Sequence, residues 1–149
     1  MSAGYLLDTS VLSILAPGRT PPEAPLVGWI HNHSDTLYLS AVTIAEVEQG
    51  VCKLRCTGGT ERADALARWL FSLIENGGNR ILSFDAKTGR IAGDLSDRAH
   101  AAGRHPGFAD VAIAATAVAH DLHLLTRNAK HFAPLGIPFS DPVEALPGG

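Results

Sequence analysis

Cysteine is almost missing from this 149-residue chain, which has only Cys52 and Cys56. They stand four apart in a segment with helical spacing. Two positions on one helix face are poorly placed for a disulfide, so reduced thiols are expected, as in a cytosolic protein. A zinc pair would need two further ligands nearby, and none has suitable spacing. No apolar run reaches the roughly 18 residues of a membrane span. Met1-Ser2-Ala3-Gly4 lacks a basic segment before the first apolar run, so no signal peptide is expected. Positive charge is not in excess either. The formal net charge is -3, and such a field does not draw in a polyanion, so any contact with nucleic acid needs a local patch or metal ions. A simple DNA-binding module, which is usually basic, is disfavoured. Internal repeats, low-complexity tracts and long linkers are missing too. One soluble, cytoplasmic domain over residues 1–149 is expected, with residues from about 144 to 149 as a loose tail.

What is present is a globular balance, 46% hydrophobic and 18% charged, enough to bury one good core. Tyr5-Leu6-Leu7 is a short apolar run ending at Asp8, and Thr9 to Leu15 can start a helix. Pro17, Gly18, Pro21, Pro22 and Pro25 then break the chain. The pattern predicts a helix over 26–33, a strand over 36–39 and a helix from a Ser40 cap to about Arg55, with Ile44, Val47, Val51 and Leu54 as its stripe. Gly58-Gly59 separates this from a helix over 61–75. Then come a strand over 80–84, a helix over 85–102, an almost wholly apolar helix over 108–120 and a strand over 123–126. A helical turn near 129–132 and an extended piece over 137–139 close the domain. Strands alternating with helices predict a parallel sheet covered on both faces.

In such sheets reactive groups gather at the carboxyl ends of the strands. Asp8 directly follows the first strand, and Thr126-Arg127-Asn128 follows a later one. Asp110 lies in the first turn of a helix whose continuation, Val111 to Ala119, has no polar face. A carboxylate heading a buried helix is costly unless a cap, a partner or a cation offsets its desolvation. Asp8 and Asp110 can each be read as a helix cap or a dipole partner. Both falling at one end of the sheet is harder to explain as two independent caps. In Ala45-Glu46-Val47-Glu48-Gln49-Gly50 the two glutamates lie on opposite flanks of the apolar stripe, so helical geometry leaves open which one faces inward.

Four blocks stand in order: Leu7-Asp8-Thr9-Ser10-Val11-Leu12, Thr43-Ile44-Ala45-Glu46-Val47-Glu48-Gln49-Gly50, Phe108-Ala109-Asp110-Val111-Ala112-Ile113-Ala114-Ala115-Thr116-Ala117 and Leu125-Thr126-Arg127-Asn128-Ala129-Lys130-His131-Phe132. Together they resemble the PIN-domain ribonuclease toxins of VapBC type, especially the FitB-like branch, over nearly the whole chain. The resemblance implies a three-layer α/β/α PIN fold with a central parallel sheet of four to five strands. It also implies three acids at the catalytic and metal positions, Asp8, Glu46 and Asp110, and so selects Glu46 over Glu48. Ser10 and Thr126 look like the family's supporting hydroxyls. Many members add a fourth acid after the fourth strand. Here that position is Asn128, and the Asp-Phe pattern that follows reads His131-Phe132, which puts a second metal ion in doubt. Asn128 remains as a neutral ligand.

The chemistry agrees with those residue types. Carboxylates without a His/Cys cage suit a hard cation, Mg²⁺ with Mn²⁺ able to substitute, as one or two ions. Arg127 and Lys130, beside the site in sequence, could steer the substrate phosphate. The resemblance implies an endoribonuclease toxin that cleaves RNA phosphodiesters by metal-activated water. Its implied partners are RNA and a cognate antitoxin, within a homodimer in a larger complex whose DNA contact comes through the antitoxin. The alternative is a catalytically weak or inactive scaffold that binds RNA or antitoxin. DNA as substrate stays open, since nothing in the sequence reads a 2′-hydroxyl. Phosphotransfer domains also put Asp after the first strand. The dehalogenase type needs a second Asp where Ser10 stands, and the receiver type needs an acid pair where Leu6-Leu7 stand. His31/His33 and His120/His123 lack completing ligands, Asp94 and Asp97 read as a wet helix face, and Trp29, Trp69 and Phe71 as core or interface anchors. Asp121 reads as a helix-ending turn and a distant substitute for the fourth acid.

Overall fold

A computed structural model of the protein describes residues 4–148. Met1-Ser2-Ala3, part of the stretch on which the missing leader was read, and Gly149 at the end of the expected tail lie outside the described residues. Five short strands form one parallel sheet in the order β3-β2-β1-β4-β5. They are β1 Tyr5–Leu7, β2 Leu37–Ser40, β3 Ile81–Leu82, β4 His123–Leu125 and β5 Phe139–Ser140. Leu6 lies opposite Tyr38 on one side and Leu124 on the other. The helices are α1 Thr9–Leu12, α2 Ala24–Asn32, α3 Ala41–Cys56, α4 Thr60–Gly77, α5 Ala86–Ala101, α6 Phe108–Ala119 and α7 Ala129–Phe132. The three-layer α/β/α architecture expected from the alternating pattern is what the chain adopts.

Strand alternation divides the core in two. Leu6 and Leu124 face a cluster built with α5 and α6, including Leu95, Ala99, Val111 and Ile113. Leu7, Leu39 and Leu125 face the other cluster, with Val11, Leu12 and Trp29. Helix α6 buries every residue from Val111 to Ala117, which is why its sequence has no polar face. Leu146 also packs against the second cluster. The stretch expected as a helix over 9–15 is α-helical only to Leu12 and tightens into a 3-10 turn at Ser13–Leu15, just ahead of Pro17. The strand expected over 80–84 shrinks to Ile81–Leu82, since β3 is an edge with one partner. The last strand sits two residues later than expected, at Phe139–Ser140.

The topology sets where a site can form. From β1 the chain winds outward through β2 to β3, then returns to lay β4 on the other side of β1. At such a reversal the connections leave in opposite directions and open a crevice beyond the carboxyl ends of the strands. Asp8 leaves β1 there, and Thr126 leaves β4 there. Asp121 instead precedes β4, at the opposite end of the sheet, in a left-handed turn at φ 53°. It is thereby removed as a substitute for the missing fourth acid.

Candidate metal centre

Asp8 is 3% exposed. Its carboxylate caps α1 by accepting from Val11 N at 3.1 Å. The same Oδ1 accepts from Ser10 Oγ at 2.5 Å, and Oδ2 accepts from Thr126 Oγ1 at 2.6 Å across the crevice. The cap and the site are therefore one arrangement. Ser10 Oγ in turn accepts from Arg127 N at 3.0 Å, and Thr126 Oγ1 from Asn128 N at 2.9 Å. The Thr-Arg-Asn turn is thus fastened to Asp8 through two hydroxyls. No cationic side chain pairs with Asp8 among the described residues. Its donors are two hydroxyls and one amide, which leave the charge itself without a counter-ion.

Asp110 sits in the first turn of α6, whose cap position is Gly107. It makes no capping bond, so capping does not account for it. Burial pushes its carboxyl above the ordinary range, the nearby charge of Asp8 pushes the same way, and His131 opposes both. Asp110 Oδ2 lies 3.3 Å from His131 Nδ1. His131, the residue standing where the family pattern has an acid, thus leans on the third carboxylate. Glu46 is half-buried on α3, whereas Glu48 is exposed. Thr9 Oγ1 donates to Glu46 Oε1 at 2.5 Å and lies 3.4 Å from Thr43 Oγ1. The choice that helical geometry left open falls on Glu46, because α3 turns that flank toward α1 and the crevice. Asn128, Arg127 and Lys130 are exposed on the turn after β4.

The three acids thus face one end of the sheet, but they do not form a finished cage. Among the described residues no three Asp, Glu, His or Cys side chains are close enough to chelate an ion as they stand. Each carboxylate is held by its own neighbour: Asp8 by hydroxyls, Glu46 by Thr9, Asp110 by His131. The donor set still fits Mg²⁺, which uses one or two carboxylates and keeps several waters. A carboxylate as enclosed as Asp8, with no counter-charge and a second carboxylate acting on it, is a place where such a cation relieves cost.

The comparisons with known proteins agree with this fold. A family model, the PIN domain, matches residues 5–135. The chain belongs to the PIN-domain family. This PIN domain is 34% identical over 140 residues to VapC ribonuclease Y4jK of Sinorhizobium fredii, covering 93% of the chain and 97% of that relative. It is 34% identical over 128 residues to Toxin FitB of Neisseria gonorrhoeae, covering 85% and 89%. The solved structure of FitAcB from Neisseria gonorrhoeae superposes with a TM-score of 0.80 at 32% identity, over 93% of this chain and 97% of that one. A FitAB structure solved with a DNA fragment, at 31% identity, has a TM-score of 0.79. The rival phosphotransfer folds find no support in these matches.

Thr9 is the site residue that sequence reasoning passed over. Its signal was its place directly after Asp8 in a helix short enough to aim its first hydroxyl at α3. Of the four paired histidines, His31 and His120 are exposed. The His33 ring stacks on Trp29 at 4.3 Å, and His123 Nε2 lies 2.8 Å from Ser140 Oγ. Cys52 and Cys56 are free and exposed.

Proposed function

We propose that this PIN-domain protein is a divalent-metal-dependent endoribonuclease, the toxin of a toxin–antitoxin pair, acting in the cytoplasm. The observation that carries the reading is the enclosed Asp8, fastened by Ser10 and Thr126 and acting electrostatically on Asp110 across the crevice. Asp8 and Asp110 would hold Mg²⁺ or Mn²⁺, with Glu46 joining directly or through a water; Asn128 stands by as a neutral donor. Such an ion offsets charge developing on the phosphate and makes water a better nucleophile at neutral pH. The protein's own residues supply the rest. Glu46 Oε1 is engaged by Thr9, which leaves Oε2 to accept a proton from the attacking water. Arg127 and Lys130 offer their charges to the phosphate. Water oxygen bonds to phosphorus, the bond to the leaving ribose oxygen breaks, and that oxygen takes a proton from solvent.

The partners follow from the same reading. A cognate antitoxin would bind this chain and carry the DNA contact, within an assembly built on a toxin homodimer. Exposed Phe71, Ile74, Phe108 and Val118 give apolar surface for such contacts. One observation favours a second reading, a scaffold with little turnover: with Asn128 at the fourth acid's position, the nearby His131 leans on Asp110. Cleavage of single-stranded RNA in Mg²⁺ or Mn²⁺ separates the two. Wild type should cut, and Asp8→Asn and Asp110→Asn should each lose about 10²-fold or more, the scale of removing one group that stabilises transition-state charge. Equal activity in all three, or none in any, supports the scaffold.

A further inference from the structure

Two surface cavities flank the carboxylates, one on each side, and each contains one of the three acids. The first, about 280 Å³, runs past Glu46 between the 16–19 loop and helices α3 and α4, with Arg19 and Arg62 at its edge. At Gly18, held at φ +82°, an added Cβ would stand 3.8 Å from Arg62 Nε. The loop carrying Arg19 therefore runs alongside the Arg62 guanidinium. The second, about 340 Å³, runs past Asp110 and His131 with Arg104 and Lys130 at its edge. Among the described residues none of these four cations has an acid partner, although Arg55 and Arg98 do. A continuous set of contacts joins the cavities: Glu46 to Thr9, then Asp8 beside it, then Thr126 and the turn into α7, then His131 to Asp110. In a chain of net charge -3, unpaired cations on both sides of an acidic centre are the local patch that a polyanion needs.

The two sides differ in what else they offer. The Glu46 side has an apolar wall of Val47, Leu54, Leu66 and Trp69. The Asp110 side has Pro106, Gly107 and Pro134 and otherwise charged or imidazole side chains. An apolar wall beside guanidinium groups can take an unstacked base as well as a phosphate; a polar, cationic wall takes phosphate alone.

Resting on the ribonuclease reading, we propose that the two cavities are the arms of one track for single-stranded RNA. Arg19 and Arg62 grip the strand and its base on the Glu46 side, and Arg104 and Lys130 grip backbone only on the Asp110 side. The strand then extends in both directions from the bond that is cut, and sequence preference resides on the Glu46 side.

The test uses the full chain carrying Glu46→Gln, to block cutting, and a labelled 12-nucleotide single-stranded RNA of mixed sequence. Affinity is measured in MgCl₂ across a range of salt concentrations. Adding Arg19→Ala with Arg62→Ala, or Arg104→Ala with Lys130→Ala, should each lower the slope of log affinity against log salt by about 1.4, two phosphate contacts at about 0.7 each. Arg80→Ala, at a separate cavity, should leave it unchanged, and circular dichroism checks that every variant is folded. In chains that keep Glu46, cutting of a randomised RNA pool should lose its sequence preference with the Arg19/Arg62 pair and keep it with the Arg104/Lys130 pair. Slopes equal to that of Arg80→Ala, in a protein whose parent still cuts RNA, overturn the track and leave the nuclease reading standing. Shifted slopes with no cutting by the parent support the track and remove the nuclease reading. If the arginine variants bind RNA normally but lose the antitoxin, the groove is a protein-docking surface and the proposal fails.

Discussion

At the scale of single residues, the site depends on hydroxyls as much as on acids. Asp8 is enclosed with both carboxylate oxygens engaged, because Ser10, Val11 and Thr126 donate to it. Glu46 is aimed by Thr9. The two neighbouring glutamates therefore should not behave alike. Glu46→Gln is expected to lower kcat for RNA cleavage by about 10²-fold, the range for a lost general base. Glu48→Gln, on the exposed flank, should leave it unchanged, and paired kinetics on one RNA check both. Burial, and then the charge of Asp8, raise the Asp110 carboxyl despite the opposing His131, so Asp110→Asn should raise the melting temperature in EDTA. The same variant should lose the gain that Mg²⁺ gives the wild type. That gain is about 1.4 kcal/mol at ten times Kd, or roughly 3–6 °C for a domain of this size. A drop in Tm in EDTA for Asp110→Asn would speak against the repulsion.

At the scale of elements, helix ends and close packing carry the stability. Ser40 is buried and caps α3 through Val42 N at 3.0 Å, so Ser40→Ala should cost about 1 kcal/mol by urea unfolding. Helix α6 packs through fully enclosed alanines, and Ala114→Leu should cost about 1–3 kcal/mol through overpacking. Asp85 caps α5 by accepting from Thr88 N and Thr88 Oγ1 at 3.0 and 2.8 Å, and those bonds hold its carboxyl below the ordinary range. A lowered folded-state value contributes stability that is present above the unfolded pKa and is lost as pH falls through the folded one. The stability gap between wild type and Asp85→Ala should therefore be full at neutral pH and narrow under acid conditions, below the usual carboxylate range. The same elements show what could be read from sequence. Periodicity placed α3, α5 and α6 almost to the residue, with Ser40 read as the cap of α3, because helical spacing and the apolar run over 108–120 are local signals. The length of β3, the break after Leu12 and the inward turn of Glu46 were not readable. The first and last are decided by neighbours distant in sequence, the single partner strand β2 and Thr9, whereas the break lies just ahead of a proline loop that helical spacing over 9–15 does not register.

At the scale of the whole molecule, a chain of net charge -3 brings Asp8, Glu46 and Asp110 toward the place where the sheet reverses direction. Unpaired cations are left on either flank of that point. No helix among the described residues is long and apolar enough to cross a membrane. The four sequence blocks marked Ser10 and Thr126, which tether Asp8, but gave no sign of the Thr9 and His131 contacts. Thr126 across from Asp8 is a product of the β1–β4 pairing, and His131 beside Asp110 of the packing of α7 on α6. The central claim is that a divalent cation draws the carboxylates of Asp8 and Asp110, with Glu46, into one coordination sphere. Crystals of the protein soaked in Mn²⁺ and measured at the manganese edge test it most directly. The account predicts an anomalous peak between Asp8 and Asp110, with carboxylate oxygens about 2.0–2.3 Å away, as for hard cations of this size. Full-occupancy manganese elsewhere on the surface, with that crevice empty, would contradict it.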